Sequence, residues 1–122
     1  MSYLLLIHEP VGQRATRSAA EGRAAYDAML GFGADLQARG LLVAAESLAS
    51  EHAATRVQRR NGKTQLLDGP FAEAKEMVGG FFLLNCDTRE AALEIAAQCP
   101  AAEWCTVEVR ALAPCWDDGQ PG

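Results

Sequence analysis

The order of secondary-structure patterns in this chain of 122 residues predicts a ferredoxin-like α+β domain. Strand and helix patterns follow one another as strand, helix, strand, an inserted β-hairpin, strand, helix and strand. Two helices in that order cross over on the same side of a mainly antiparallel sheet. Because 49% of the residues are apolar and 22% are charged, the composition is that of a single folded domain, which we place at residues 1–113.

The first strand and the first helix are indicated by separate signals. Tyr3 to Ile7 is a continuous apolar run of strand length, which predicts a strand buried on both faces. Ser18 and Glu21 have the spacing of a capping box, and Gly40 is a suitable end for the helix that follows. One apolar stripe of this helix is expected to face the sheet, and it comprises Tyr26, Met29, Leu30, Gly33 and Leu36.

The middle of the chain contains a short strand and then a hairpin. Leu41 to Ala45 is apolar and predicts the second strand, and a polar connection follows at residues 46–53. The dipeptide Asn61-Gly62 favours a two-residue turn between strands at residues 55–60 and 63–68. We expect this polar hairpin to lie at an edge of the sheet.

The last third of the chain completes the sheet. Val78 to Cys86 is a long apolar strand, and Gly79 and Gly80 near its start indicate either a β-bulge or the close approach of a ligand or another backbone. A second helix capped by Asp87 or Thr88 and an alternating strand, residues 103–111, follow it. Residues 114–122 are rich in Pro, Gly and Asp, which predicts a loose tail.

Charge and cysteine spacing argue against several classes of function. The net charge is −5 and the basic residues are scattered, so direct binding to nucleic acid is not expected. No apolar run is long enough for a membrane span, and no export signal is visible, which favours a cytoplasmic protein. The cysteines lack metal-binding spacing, so we expect free thiols, no metal site and no cofactor; they are Cys86, Cys99, Cys105 and Cys115.

The uncovered face of the predicted sheet indicates a homodimer. Both helices lie on one side, yet the strands at Tyr3 to Ile7 and Phe81 to Leu84 are apolar in every position. A bare sheet of this kind exposes an apolar patch that soluble monomers rarely tolerate. We therefore expect two copies to pack face to face through their open sheets.

The tetrapeptide Asp68-Gly69-Pro70-Phe71 resembles the YCII-related proteins of the DGPF-domain type. The similarity extends over DGPFAEAKEMVGGFFLL and Val107-Glu108-Val109-Arg110, and it covers nearly all of the chain to about Leu112. It implies a dimeric α+β barrel from the bacterial cytosol. It also implies either an enzyme acting on small aromatic compounds, as a dehydrochlorinase does, or a domain associated with sigma factors.

The resemblance also implies an acid–base pair of a histidine and an aspartate, with the histidine in the first helix. This chain has no histidine there, so His8 at the end of the first strand is the candidate substitute, and Asp68 matches the aspartate. Each residue also has a structural interpretation: His8 as a hydrogen-bonded edge residue, and Asp68 as a turn carboxylate bound by backbone amides. The candidate ligand-binding residues are Tyr26, Phe71, Glu73, Lys75, Gly79 and Gly80.

Two functional hypotheses follow. The first is a cofactor-free enzyme that uses His8 and Asp68 for elimination or isomerisation of a small aromatic or carbonyl-bearing substrate. The second is a non-catalytic module that binds a small molecule or a protein partner, because no complete catalytic set can be assigned.

Overall fold

The computed structural model of the protein, which describes residues 2–116, is an α+β fold with two helices packed on one face of an antiparallel sheet. The elements in chain order are β1 (Ser2–Pro10), α1 (Ala19–Ala38), β2 (Leu42–Ser47), β3 (Thr55–Arg60), β4 (Lys63–Asp68), β5 (Glu76–Asn85), α2 (Arg89–Gln98) and β6 (Thr106–Ala111). Four strands form one sheet in the order β2-β5-β1-β6, which confirms the predicted ferredoxin-like arrangement. The sheet is open, with β2 and β6 at its edges.

The core lies between this sheet and the two helices. Tyr3, Leu5 and Ile7 of β1 are buried there, whereas Leu4 and Leu6 are only half-buried on the opposite face. The prediction that β1 is buried on both faces was therefore wrong for the single chain. Because side chains alternate along a strand and both helices cover the same face, half of the apolar run has no covering layer within the chain.

Helix α1 begins at the predicted capping box. The Ser18 hydroxyl accepts a hydrogen bond from the Glu21 amide at 3.1 Å, and the Glu21 carboxylate accepts one from the Ser18 amide at 2.8 Å. The predicted buried stripe was wrong in part, because Tyr26 and Leu30 are 51% and 53% exposed. Met29, Gly33 and Leu36 of the predicted stripe do face the sheet, and Phe32 joins them in place of Tyr26 and Leu30.

The hairpin β3–β4 forms a two-stranded sheet of its own and does not join the edge of the main sheet. Its turn is at the predicted dipeptide, where Asn61 and Gly62 have φ angles of 54° and 76°. Two successive residues with positive φ form the turn that matches the twist of a hairpin. The 3₁₀ turn Glu51–Ala53 connects this hairpin to β2.

The C-terminal part follows the predicted order with shorter elements. Thr88 caps α2 by accepting a hydrogen bond from the Ala91 amide, and Cys99 is buried after its last turn. A 3₁₀ turn at Pro100–Glu103 replaces the expected start of β6. Within the predicted tail, Trp116 is 68% exposed, and residues 117–122 lie outside the described part of the chain.

Candidate functional site

His8 lies near the end of β1 on the open face of the sheet, next to a carboxylate from β6. Its Nε2 atom is 2.5 Å from Oε1 of Glu108. Strand pairing places the two residues diagonally, since His8 is opposite Thr106 and Glu108 is opposite Leu6. A carboxylate accepts hydrogen bonds, so Glu108 fixes a proton on Nε2. Nδ1 makes no hydrogen bond within residues 2–116.

His8 also lines a cavity of about 560 Å³ between the sheet and the segment that connects it to the hairpin. Phe71, a predicted ligand residue, is buried in the wall of this cavity. The Arg56 guanidinium lies 3.6 Å from the centre of the Phe71 ring, so a cation covers one face of the aromatic ring. The cavity therefore combines a histidine, an aromatic ring and an arginine.

A YCII-related domain model matches residues 1–115 of the chain. The protein belongs to the YCII-related family. It is also similar to a protein of Rhizobium meliloti (strain 1021) that is described only as uncharacterized, with 41% identity over 63 residues. That similarity covers 50% of this chain and 51% of the relative, so the chain spans about half the length of the curated relative it matches.

In this YCII-related protein, the residues Asp68 to Phe71 connect the hairpin to the rest of the domain. Asp68 is exposed, and its carboxylate accepts a hydrogen bond of 2.7 Å from the Thr55 hydroxyl on the opposite strand. Gly69 donates its amide to the Ala54 carbonyl at 2.8 Å, and a Cβ atom there would overlap the carbonyl oxygen of Glu51. Each of these residues thus has a packing or hydrogen-bonding role.

The structure does not bring Asp68 to His8 directly. No hydrogen bond or ion pair joins them within residues 2–116, and Asp68 does not line the cavity that holds His8. Their joint catalytic role stays a prediction. Glu73 and Lys75 are exposed and do not line that cavity either.

The two predicted glycines in β5 make room for protein atoms. Ile7 pairs with Gly80 and His8 pairs with Val78, so Gly79 is the extra residue of a β-bulge. A Cβ atom at Gly79 would overlap the Glu9 carboxylate, and one at Gly80 would lie 2.9 Å from the Glu46 carbonyl oxygen. Of the alternatives, the bulge and close approach by protein groups are therefore observed.

Sequence reasoning missed Glu9, Arg14 and Arg17, which together with Tyr26 and Trp104 line a second cleft of about 290 Å³. Glu9 is only 8% exposed and is bound by Arg14. The available signals were the glycine pair opposite Glu9 and the spacing of two arginines just before α1. For the partner of His8, the predicted topology places β6 beside β1, but the register that brings Glu108 to His8 is not specified by the sequence.

Three cysteine thiols are kept neutral by their surroundings. Burial raises the pKa of Cys86, of Cys99 and of Cys105, and for Cys105 it does so to about 11, with the Glu9 carboxylate adding to the increase. A thiol in this state is a poor nucleophile at neutral pH, because the thiolate is the reactive form. We therefore assign no nucleophilic role to these residues.

Two further features are absent from residues 2–116. No group of three or more His, Cys, Asp or Glu side chains is arranged to hold a metal ion in this part of the chain. Over the same residues, no helix has the length and apolar character that crossing a membrane requires.

Proposed function

We propose that this YCII-related protein binds a small aromatic or carbonyl-bearing molecule and acts on it as a cofactor-free acid–base catalyst. The observation that supports this proposal is the 2.5 Å contact between His8 and Glu108 beside a cavity of about 560 Å³. A histidine held by a carboxylate is the usual arrangement of a general base in proteins. In this proposal, Glu108 orients the histidine, which is the role that the sequence analysis had proposed for Asp68.

The proposed chemistry is proton abstraction by Nδ1 of His8. In an elimination, Nδ1 takes a proton from a carbon atom and the electrons of that bond form the new double bond. A leaving group such as chloride departs with its own bonding pair. In an isomerisation, His8 returns the proton to another carbon atom. Glu108 stabilises the imidazolium that forms in both reactions.

The experiment is a turnover assay on chlorinated and hydroxylated aromatic compounds and on carbonyl compounds with an enolisable C–H bond. Chloride release and solvent deuterium incorporation report the two reactions. His8→Gln is expected to lower turnover about 100-fold to 10,000-fold, the usual contribution of a general acid or base. His52→Gln is the matched control, because His52 is the only other histidine in the chain and is exposed.

Absence of turnover across the panel, or a His8→Gln variant as active as the wild type, would contradict the proposal. Asp68→Asn belongs in the same assay, because it tests the aspartate of the sequence-based pair. Full activity in that variant with loss in Glu108→Gln would assign the orienting role to Glu108.

The hairpin favours a second candidate function, a non-catalytic interaction module. Val57 and Leu66 are opposite each other on β3 and β4 and are 62% and 68% exposed. An isolated two-stranded hairpin is marginally stable, so an uncovered apolar pair on it is typical of a contact surface. Stable binding of a compound without conversion, or co-purification with a sigma factor that Val57→Lys abolishes, would support this function.

We also propose that the protein is a homodimer formed through the open face of the sheet, as a dimeric α+β barrel requires. Leu4, Leu6, Phe81 and Leu83 form the apolar centre of that face and are half-buried. Charges of both signs, Glu108 and Arg110, lie along its β6 edge. A surface with both signs can meet its own copy across a two-fold axis. A cytoplasmic location remains part of the same proposal.

A further inference from the structure

The cleft that contains Glu9 lies on the opposite side of the sheet from the His8 cavity. Glu9 and His8 are adjacent in β1, and neighbouring side chains on a strand point to opposite faces. Helix α1 forms the other wall of this cleft through Gly22, Ala25, Tyr26 and Met29. Of the lining residues only Leu48 is shared with the His8 cavity, so the charged and aromatic groups of this cleft are its own, and what it binds does not depend on the proposed catalytic function.

The charges that line this cleft do not cancel. Glu9 accepts hydrogen bonds from Nε of Arg14 at 2.6 Å and from Nη2 at 3.2 Å, so this carboxylate and this guanidinium neutralise each other. Arg17 makes no ion pair within residues 2–116, and its guanidinium lies 5.6 Å from the centre of the Trp104 ring. The lining thus has a net positive charge, although the whole chain has a net charge of −5.

Arg17 also interacts electrostatically with Glu21, a carboxylate outside the cleft lining. Arg17 helps to lower the pKa of Glu21, but the main cause of that lower pKa is the hydrogen bonding of Glu21 to Ser18 in the capping box. The charge of Glu21 therefore offsets that of Arg17 only in part, and Arg17 is the cation of the lining that has no ion pair within residues 2–116.

Arg14 is held in place by the bulge. Its Nη2 atom lies 3.5 Å from the Gly79 carbonyl oxygen in addition to its contacts with Glu9. Nη1 makes no hydrogen bond to the described residues and is available to an acceptor. A guanidinium fixed in this way is pre-organised, because less side-chain freedom is lost when a ligand binds.

We propose that this cleft binds a small carboxylate attached to a flat apolar body. Because Arg17 has no ion pair within the cleft lining, its charge matches a single negative charge, and the planar guanidinium matches the planar carboxylate. The apolar body would lie against Met29 and Trp104, and the Tyr26 hydroxyl would donate a hydrogen bond to the carboxylate. A volume of about 290 Å³ fits a single substituted ring.

The test uses benzoate as the probe and benzamide, which has the same shape without the charge, as its control. Binding to the intact protein is measured by backbone amide NMR shifts. Benzoate is expected to shift the amides of residues 14–29 and 79, with a Kd about tenfold or more below that of benzamide. Added salt should weaken the binding of benzoate and leave the binding of benzamide unchanged, because salt screens the attraction between charges.

Three variants locate the interaction. Arg17→Gln should weaken benzoate binding about tenfold or more, and Arg17→Lys should retain part of it, because it keeps the charge. Arg23→Gln is the matched control, since Arg23 is an exposed arginine near the start of α1 and does not line the cleft. It should leave the Kd within about a factor of two, as surface substitutions usually do.

The proposal would be overturned by equal affinities for benzoate and benzamide, by wild-type affinity in Arg17→Gln, or by no detectable benzoate binding at millimolar concentrations. Shifts confined to residues around His8 would also overturn it, because they would place the ligand in the other cavity. His8→Gln should leave benzoate binding unchanged, so failure here and failure of the proposed catalysis are distinguishable.

Discussion

Gly79 shows how a missing side chain allows a charged group into the interior. The Glu9 carboxylate occupies the space next to Gly79 that a Cβ atom would need, and Arg14 lies within 3.1 Å of the same position. A buried carboxylate is stable only with a paired charge and hydrogen bonds, both of which Arg14 supplies. The bulge, the acid and the arginine therefore form one unit.

Replacing Gly79 with alanine should destabilise the protein. The added methyl group must move the buried Glu9 carboxylate out of its hydrogen bonds with Arg14, and leaving a buried group without such bonds costs about 1–3 kcal/mol. Urea denaturation measures the change in the free energy of unfolding. Gly31→Ala is the matched control, because Gly31 lies in α1 with open space around it and should gain up to about 1 kcal/mol. If Gly79→Ala left the free energy of unfolding unchanged, the Glu9 carboxylate would not be held at this position.

At the scale of elements, the sequence predicted helix caps and turns correctly but predicted only in part which face of α1 is buried. The capping box at Ser18, the turn at Asn61-Gly62 and the cap at Thr88 each depend on neighbouring residues, and all are observed. The buried face of α1 depends on how the helix lies on the sheet. Periodicity alone placed Tyr26 inside, whereas packing against the sheet leaves it exposed.

The same distinction between local and long-range information applies to the residues of the candidate site. Sequence reasoning proposed His8 and Phe71 as site residues, and both line one cavity, while their roles stay predictions. It missed Glu108 because that residue looked like an ordinary solvent-facing position in an alternating strand. Its role depends on the register between β1 and β6, which the sequence does not specify.

Replacing Ser18 with alanine should lower the stability of the first helix and of the whole domain. The substitution removes the acceptor for the Glu21 amide, and loss of such a cap costs about 1 kcal/mol. The free energy of unfolding in urea reports this loss. Ser50→Ala is a suitable control, because Ser50 precedes a 3₁₀ turn without a side-chain cap and should be close to neutral. Equal losses in both variants would contradict the capping-box assignment.

At the scale of the molecule, the helix-free face of the sheet is the main feature that a single chain leaves without a covering layer. Its apolar centre would form the interface of the proposed homodimer. The His8–Glu108 pair lies on the same face, so a second copy would also help to enclose the proposed catalytic cavity and exclude water from it.

Sedimentation equilibrium at micromolar concentration should therefore give the mass of a dimer. Leu6→Lys places a charge at the centre of the face and should shift the equilibrium to a folded monomer, because burying an unpaired charge is costly. Leu93→Lys is the control, since Leu93 is a partly exposed residue of α2 on the other side of the sheet. A well-folded wild-type monomer, or dimers that survive Leu6→Lys, would contradict the proposed interface.

The proposed catalysis requires that Glu108, and not Asp68, orients His8. Two-dimensional ¹H–¹⁵N spectra of the imidazole rings test it directly, because the chain has only two histidines and His52 is an internal control. We predict that Glu108→Gln moves the ring nitrogen signals of His8 and leaves those of His52 in place, while Asp68→Asn changes neither. If Asp68→Asn moves the His8 signals and Glu108→Gln does not, the assignment of the pair is contradicted.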